Sequence, residues 1–181
     1  MGQAKGMTRL HKFPVKEVLP HIGKFSHKFW IPSEQRLFVV KHLSNQRMKL
    51  ISKTQKCVSC LVEGTHFWLE KSGCWPFHFN LYAKNYYGDE TLMTMDHIVP
   101  RSKGGPTSQD NLQLMCRLCN KVKKDHDVDL NEVLRRRFLS DPNLYKHVRN
   151  AYEKFNPEFL PILDQIFENR KCQKSSSPSQ P

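Results

Sequence analysis

The sequence predicts an α+β fold in which a two-stranded hairpin and a short helix surround a metal site. Three observations predict it. Two C-x2-C pairs, Cys57/Cys60 and Cys116/Cys119, are separated by 55 residues. Two strand-like segments joined by a glycine turn lie between the pairs, and three helix-start signals follow them. A chain of 181 residues can bury one hydrophobic core with small flanking pieces.

The chain divides by composition into four parts. Residues 1–56 form a basic N-terminal segment with one helix, and residues 57–126 hold both cysteine pairs. Residues 127–171 carry the helix-start signals. Residues 172–181 are polar and rich in Ser and Pro, which predicts a disordered tail.

The N-terminal segment carries most of the positive charge. Residues 1–56 hold 12 Lys or Arg against 2 acidic residues, a net charge of +10 out of +12 for the chain. Such a segment favours a polyanion, most simply nucleic acid, although a merely solvated basic arm has the same composition. The run "GKFSHKFW" (Gly23–Trp30) suits phosphate contact and base stacking. It equally suits a segment that packs its aromatic rings on a core.

A helix is predicted from Ser33 to about Ser52, with Ser33 as its cap and apolar side chains near one face. The run "RLFVV" within this range also fits a strand. The next predicted elements are two strands, His78–Lys84 and Glu90–Ile98, around the turn "NYYGD". This hairpin places Asp96 and His97 at its end, before the loop "PRSKGGPTSQ" and a short helix.

The stretch "LVEGTHFWLEKSGCWPF" (Leu61–Phe77) predicts an insertion or an extended hairpin. Its aromatic side chains either pack on the flanking parts or contact substrate. Beyond residue 126, Asp129, Asp141-Pro142 and Asn156-Pro157 predict helices over about 130–139, 142–154 and 157–170.

The two C-x2-C pairs predict a structural zinc site. In an intracellular chain such pairs indicate metal binding before disulfides, and four thiolates suit tetrahedral zinc. The alternative is four buried or redox-active cysteines. Cys74 is expected to be a simple buried thiol, and Cys172 lies in the tail.

Asp96, His97 and Asn120 have the side chains that phosphodiester hydrolysis requires. A neutral imidazole takes a proton from water near pH 7, and carboxylate and amide oxygens hold a hard divalent cation. Adjacent residues of a strand point to opposite faces, so the carboxylate of Asp96 and the imidazole of His97 diverge.

The stretch "MDHIVPRSKGGPTSQDNLQLMCRLCNKVKKD" resembles the HNH endonuclease family, whose core is the ββα-metal fold. With the first cysteine pair, the resemblance covers about residues 57–125. It implies that His97 is the general base, that Asp96 and Asn120 hold Mg²⁺ or Mn²⁺, and that Asn111 braces the loop and orients the His97 backbone. Many relatives have His at the position of Asn120, so this chain resembles an H-N-N variant. The four paired cysteines match the zinc-bearing branch of the family.

Five basic residues near this stretch are candidate phosphate contacts, and Lys123 stands out because it fills the family's N-x2-K position. They are Arg101, Lys103, Lys121, Lys123 and Lys124.

The resemblance implies an endonuclease that cleaves double-stranded DNA. The alternatives are a non-catalytic, zinc-stabilised nucleic-acid-binding module and an RNA-cleaving nuclease. The C-terminal helices either brace the core or bind a protein partner. We expect an intracellular, cytoplasmic location without a membrane span, because the first residues lack an apolar signal region and no apolar run approaches the roughly 20 residues of a span.

Overall fold

The computed structural model describes residues 7–126 and 128–171 and mixes strands with helices, in agreement with the predicted class. Its strands are β1 (Met7–Pro14), β2 (Ser26–Ile31), β3 (Arg36–Lys41), β4 (Gly64–Ser72), β5 (His78–Lys84), β6 (Glu90–His97) and β7 (Leu112–Cys116). Its α-helices are α1 (Val15–Val18), α2 (Gln46–Lys53), α3 (Arg117–Lys123), α4 (Leu130–Ser140), α5 (Leu144–Phe155) and α6 (Leu160–Glu168). No helix in these ranges is long and apolar enough to span a membrane.

An antiparallel sheet in the order β1-β4-β5-β6-β7 forms the centre of the molecule. Successive side chains of a strand point to opposite faces, and in β4 both sets are protected from solvent. Phe67 and Leu69 are fully buried, and so is Glu70 on the other face. The central strands are therefore covered on both sides.

A hydrogen-bonded network explains how a carboxylate can be fully buried in this sheet. Glu70 Oε1 accepts hydrogen bonds from Asn80 Nδ2 (2.6 Å) and Tyr82 Oη (2.8 Å), and Arg9 lies 3.4 Å from Glu70 Oε2. Burial, together with the hydrogen bond to Glu70, raises the pKa of Tyr82 to about 12. A buried charge without such partners would be costly.

The hairpin of β2 and β3 packs on this sheet through aromatic side chains. The Phe29 ring lies 5.4 Å from that of Phe13 in β1 and 4.9 Å from that of Phe79 in β5. The prediction of a helix from Ser33 to about Ser52 is wrong in its first half, because "RLFVV" forms β3. The run pairs with β2 and buries Val40, while Val39 stays exposed on the outer face of the hairpin. The α-helix covers only Gln46–Lys53 and is capped by Asn45.

The stretch Leu61–Phe77 is an extended hairpin and not a loop insertion. Most of it is β4, which pairs with β1 on one side and β5 on the other. Cys74 lies at the β4–β5 turn and is exposed, so its prediction as a buried thiol is wrong. The turn extends beyond the sheet, where no described residue covers the Cys74 side chain.

The predicted β5–β6 hairpin is confirmed, and its β6 strand ends at His97. The short helix predicted from "DNLQLMCRLCNKVKKD" begins only at Arg117, since "LQLMC" forms β7. β7 pairs with β6, and α3 packs on both strands. Strand β7 was missed because its apolar run is short enough to fit either element.

Three C-terminal helices lie close to the predicted ranges, and Asp129 caps α4 by accepting a hydrogen bond from Glu132 N. Asp141 and Asn156 do not act as the predicted side-chain caps, because each accepts a hydrogen bond from the turn that follows it through its backbone carbonyl oxygen and not through its side chain. The helices pack through buried side chains, among them Phe138, Val148 and Leu163. The predicted tail, residues 172–181 with Cys172, lies outside the described residues.

Candidate active site

Asp96 lies near the end of β6 on the strand face that is covered by α3. Its cross-strand partner in β7 is Gln113, whose Nε2 donates a hydrogen bond of 2.8 Å to Asp96 Oδ2. The ammonium of Lys123, in the last turn of α3, lies 3.1 Å from the same oxygen. Asp96 is 8% exposed, so its carboxylate is held in one position by two neighbours.

Lys123 is placed differently from its predicted role as a phosphate contact. Its side chain is 2% exposed and its Nζ donates a hydrogen bond of 2.8 Å to the His97 carbonyl oxygen. The ammonium therefore joins α3 to the backbone and the side chain of the Asp96–His97 pair. We correct the prediction for this residue, since a lysine enclosed between α3 and β6 does not present its charge at the surface.

Asn120 lies one helical turn before Lys123 and faces the same strand. Its Nδ2 donates a hydrogen bond of 2.9 Å to Thr94 Oγ1. Thr94 and Asp96 are two residues apart in β6 and thus share a face. The structure brings Asp96 and Asn120, which are 24 positions apart in the chain, into the same space between β6 and α3.

His97 points away from this space, as expected for the residue that follows Asp96 in a strand. Its Nε2 shares a hydrogen bond of 3.0 Å with Thr107 Oγ1 in the loop between β6 and β7. The ring is partly exposed. The loop therefore orients the imidazole from the side opposite to α3.

Asn111 lies at the end of that loop and is 8% exposed. Its Oδ1 accepts a hydrogen bond of 2.8 Å from Val99 N, and its Nδ2 donates to the carbonyl oxygens of Val99 (3.1 Å) and Pro106 (2.8 Å). Its own carbonyl oxygen accepts from Ile98 N, the residue next to His97. One side chain thus holds both ends of the loop beside His97.

The two glycines of the loop allow this closure. Gly104 has a φ of +81°, in the left-handed region that favours glycine. At Gly105 a Cβ atom would lie 1.9 Å from the Val99 carbonyl oxygen and 2.9 Å from Asn111 Nδ2. The Gly-Gly pair is therefore required by the backbone turn and by the close approach to Asn111.

The four paired cysteines form one buried cluster. The sulfur atoms of Cys57, Cys60, Cys116 and Cys119 all lie within 4.8 Å of one another. Cys60 Sγ and Cys116 Sγ are 3.7 Å apart, close to the roughly 3.8 Å between sulfurs of a tetrahedral site with Zn–S bonds of about 2.3 Å. The cluster has the ligand type, number and spacing to hold a zinc ion.

The backbone explains why the two pairs meet. The segment with Cys57 and Cys60 forms a tight loop, closed by a hydrogen bond from Cys57 N to Val62 O, and Val58 N donates to Leu114 O in β7. Cys116 ends β7 and Cys119 lies in the first turn of α3. The cysteine cluster therefore joins the start of the core to the strand and helix that carry Gln113 and Asn120.

The thiols of the cluster shift one another's pKa values in opposite directions. Hydrogen bonds from Cys116 and Cys119 raise the pKa of Cys60 well above its ordinary value, and burial adds to this. For Cys57, burial raises the pKa, but hydrogen bonds from the other three thiols outweigh it and bring it well below the ordinary value. Because a thiol must lose its proton to bind a cation, metal binding by this cluster depends on pH.

Two tyrosines hold the first cysteine loop from outside. Tyr86 Oη donates a hydrogen bond of 2.6 Å to Cys60 O, and Tyr152 Oη, from α5, donates one of 2.8 Å to Ser59 O. Burial, followed by the charge of nearby thiolates, raises the pKa of both hydroxyls. Both tyrosines stay neutral donors, and Tyr152 connects the C-terminal helices to the loop of Cys57 and Cys60.

The other predicted phosphate contacts are all exposed, in contrast to Lys123. They are Arg101 and Lys103 in the loop and Lys121 and Lys124 at the end of α3. They flank the catalytic candidates along the loop and the helix. The exposed side chains of Arg101, Lys121 and Lys124 place positive charge on this side of the core.

Three site residues were missed from the sequence: Thr94, Thr107 and Gln113. Strand alternation gives a signal for Thr94, because it lies two residues before Asp96. Gln113 gives no such signal until the β6–β7 register is known. Thr107 is a common loop residue, and only the tertiary structure shows that it contacts His97.

The arrangement leaves oxygen atoms that suit a hard cation. No described residue hydrogen-bonds to Asp96 Oδ1 or to Asn120 Oδ1, since their partners engage the other atom of each group. A carboxylate and an amide oxygen are ligands that Mg²⁺ and Mn²⁺ accept. The donor set therefore fits such a cation between β6 and α3.

Part of the chain matches a known protein family. Residues 76–126 match the family model described as HNH endonuclease. This range begins before β5 and includes β6, the loop, β7 and α3. The curated proteins and the solved structures contain no significant match to the chain.

Proposed function

We propose that this chain, whose residues 76–126 belong to the HNH endonuclease family, is a metal-dependent endonuclease that hydrolyses DNA phosphodiester bonds. The observation that carries the proposal is the placement of the two oxygen ligands and the imidazole. Asp96 and Asn120 share the space between β6 and α3, and the imidazole of the adjacent His97 leaves the strand on its other face, towards the loop. HNH nucleases act on nucleic acids generally, and cleavage of double-stranded DNA is our specific proposal.

Asp96 and Asn120 hold the divalent cation, Mg²⁺ or Mn²⁺. When bound, the cation neutralises charge that develops on the phosphate oxygens during displacement. Gln113 and Thr94 keep the carboxylate and the amide in place by their hydrogen bonds. Such neighbours of metal ligands orient them and reduce the cost of binding.

His97 is the general base. If its Nε2–H donates to Thr107 Oγ1, its Nδ1, to which no described residue hydrogen-bonds, is free to take a proton from water. Asn111 supports this step through the backbone, because it ties Ile98, Val99 and Pro106 together next to the imidazole.

The hairpin of β6 and β7 with α3 is the ββα-metal core in this proposal. The zinc held by the four cysteines is structural, since all four ligand positions are protein thiols and no position remains for water. The exposed cations Arg101, Lys103, Lys121 and Lys124 contact phosphates of the bound strand. The C-terminal helices brace the core through Tyr152 and offer their outer face to a protein partner.

One observation favours a second candidate, a non-catalytic, zinc-stabilised nucleic-acid-binding module. The Lys123 ammonium already neutralises Asp96, at 3.1 Å, as a cation would. A domain that only binds nucleic acid could keep this ion pair in place of the metal. The two candidates differ in whether the protein cleaves nucleic acid. Only the endonuclease cleaves it, and it needs a divalent cation and His97 to do so.

A plasmid-cleavage assay tests the proposal. Supercoiled DNA is incubated with zinc-loaded protein and Mg²⁺ or Mn²⁺, with and without EDTA, and nicked and linear products are measured. We expect His97→Ala to lower the cleavage rate by about 100- to 10,000-fold, the range for removal of a general base. His126→Ala, an exposed histidine after α3, is the matched control and should keep the wild-type rate.

The outcomes separate the candidates. Cleavage that requires the cation and His97 but not His126 supports the endonuclease. Folded, zinc-loaded protein that binds DNA without cleaving it would assign the binding module. Cleavage of RNA of the same sequence in preference to DNA would identify an RNA nuclease.

A further inference from the structure

An exposed groove outside the candidate active site carries aromatic and basic side chains. It has a volume of about 660 Å³ and lies between β3, the start of α2 and the β4–β5 turn. The residues that matter for its chemistry are Val39, Lys41, Arg47, Trp75 and His78. We propose that this groove binds an unpaired nucleic-acid strand next to the cleavage site, with a base stacked on Trp75. The proposal rests on the proposed function and specifies its substrate class.

The first argument is the exposure of Trp75. Its side chain is 71% exposed although it lines a groove, so its ring stands at the groove mouth. Trp75 N donates a hydrogen bond of 3.0 Å to Ser72 O, which closes the turn. Phe77 then packs 5.6 Å from the Phe38 ring of β3. The indole is thus presented on a short, anchored turn, where it loses little freedom on binding.

The second argument is the outer face of the β2–β3 hairpin. The cross-strand pairs Lys28–Val39 and Trp30–Leu37 lie on this face, and their side chains are exposed. Trp30 and Leu37 are each 54% exposed, whereas Ile31 on the inner face is fully buried. Val39 lines the groove, and Leu37 and Trp30 continue the same exposed face of the hairpin beyond it.

The third argument is charge. Among the described residues that line the groove there is no carboxylate, and Lys41 and Arg47 contribute positive charge. The Arg47 guanidinium lies beneath the groove, where it donates hydrogen bonds to Asn80 Oδ1 and Phe79 O, and Lys41 is the exposed cation at the groove wall. Flat rings beside cations fit bases and phosphates of a single strand better than they fit a neutral peptide.

The fourth argument is the position of the groove relative to the catalytic loop. Asn45 lines the groove, and the next residue, Gln46, accepts a hydrogen bond of 3.1 Å at its carbonyl oxygen from Gln109 Nε2. Gln109 lies two residues before Asn111, which braces the loop beside His97. A strand that leaves the groove over this contact reaches the loop of the candidate base.

The need for an unpaired strand follows from the stacking surface. A base inside a duplex already stacks on its neighbours and hides its faces from a side chain. An unpaired base exposes a face, and one stacking contact with an aromatic side chain strengthens binding by about 5- to 150-fold. The structure therefore assigns this protein a substrate with a single-stranded segment beside the cleaved bond, such as an overhang, flap or bubble.

Fluorescence anisotropy tests the inference with full-length, zinc-loaded His97→Ala protein, which prevents cleavage. The probes are a labelled blunt duplex and the same duplex with a single-stranded extension, made of DNA or of RNA. We expect the extended probe to bind about tenfold more tightly than the blunt one. Trp75→Ala should bring that ratio close to one. Phe155→Ala, an exposed ring near the other end of α2, should leave the ratio unchanged.

The results distinguish failure of the inference from failure of the proposed function. If only Trp75→Ala lowers the ratio of affinities to about one, the result supports strand binding in the groove, whether the extension is DNA or RNA. If Trp75→Ala and Phe155→Ala have the same ratio of affinities for the extended and blunt probes, while wild type still binds and cleaves DNA, only the inference is overturned. Absence of binding to every probe overturns both. A Trp75-dependent dimer in sedimentation would assign the groove to a second copy of the chain and overturn the inference.

Discussion

At the scale of single residues, the site consists of short polar side chains, each held by a backbone group or a neighbour. Asn111 satisfies an amide and two carbonyl groups of one loop, and Gln113 and Lys123 together fix Asp96. Polar groups that are buried without partners cost free energy. The catalytic candidates are therefore also structural residues, and a variant must be tested for folding before its activity is interpreted.

Lys123→Met tests this double role. The change removes the ammonium that neutralises Asp96 while it keeps most of the buried stem, and it leaves a carboxylate that is 8% exposed with Gln113 alone. We expect the free energy of unfolding to fall by about 3 kcal/mol, as in other broken buried ion pairs. Urea unfolding followed by circular dichroism measures it.

Lys124→Met is the matched control, because Lys124 is the exposed neighbour of Lys123. Its free energy of unfolding should change by less than about 0.5 kcal/mol. Equal stability of the two variants would show that the Lys123–Asp96 pair contributes nothing to the fold.

At the scale of elements, α4 shows how charge supports a helix that packs beside the core. Glu132, in its first turn, accepts hydrogen bonds from Arg135 Nε (2.6 Å) and Arg136 Nε (2.6 Å). Carboxylates near a helix N-terminus and pairs three or four residues apart both stabilise helices. The hydrogen bond from Arg135, with that from Arg136, lowers the pKa of Glu132 to about 2.

This lowered pKa predicts a pH dependence. The contribution of Glu132 is fully present above its ordinary pKa of 4.5 and is lost as the pH falls towards about 2. Glu132→Gln should therefore be less stable than wild type at pH 7, and the difference should shrink below pH 4.5. Both proteins carry the same four cysteines, so any loss of a bound metal at low pH affects them equally, and the difference in urea midpoint between them isolates this carboxylate.

Glu153→Gln on α5 serves as the comparison for that experiment, because this glutamate is exposed. A difference in urea midpoint between Glu132→Gln and wild type that stays constant from pH 7 to pH 3 would contradict the lowered pKa of Glu132.

At the scale of the whole molecule, the cysteine cluster connects segments that are far apart in the chain. It joins the loop of Cys57 and Cys60 to β7 and α3, and Tyr152 adds α5 to the same point. β1 completes the sheet from the N-terminal side by pairing with β4. The cysteine cluster therefore lies where the segments that carry the catalytic candidates meet.

Removal of the metal should unfold the protein. Zinc sites of small domains bind with about 10–16 kcal/mol, comparable with or larger than the 5–15 kcal/mol that stabilises a typical domain. We expect about one zinc per chain in wild type, and loss of both zinc and the unfolding transition in Cys116→Ser. Zinc content and thermal unfolding are measured on the same samples.

Cys74→Ser is the control for that change, because Cys74 is exposed and lies outside the cluster. It should retain zinc and the wild-type midpoint. A Cys116→Ser protein that unfolds at the wild-type temperature would rule out a structural role for the metal.

The sequence by itself determined the features that depend on local spacing and residue chemistry. The two C-x2-C pairs predicted the cysteine cluster, and glycine and alternation predicted the β5–β6 hairpin with Asp96 and His97 at its end. Capping residues and prolines placed the C-terminal helices to within a few residues. These signals are strong because the backbone geometry of a turn, cap or metal loop involves residues that are close in the chain.

The tertiary structure decided what depends on contacts between distant segments. Only the sheet made "RLFVV" a strand, since β-branched residues accept either conformation until packing selects one. The burial of Lys123 required α3 to pack on β6, and the contact of Thr107 with His97 required the loop to close. The groove at Trp75 likewise exists only because β3, α2 and the β4–β5 turn meet. Such contacts join residues whose spacing in the chain carries no signal, and the free energy of packing selects them.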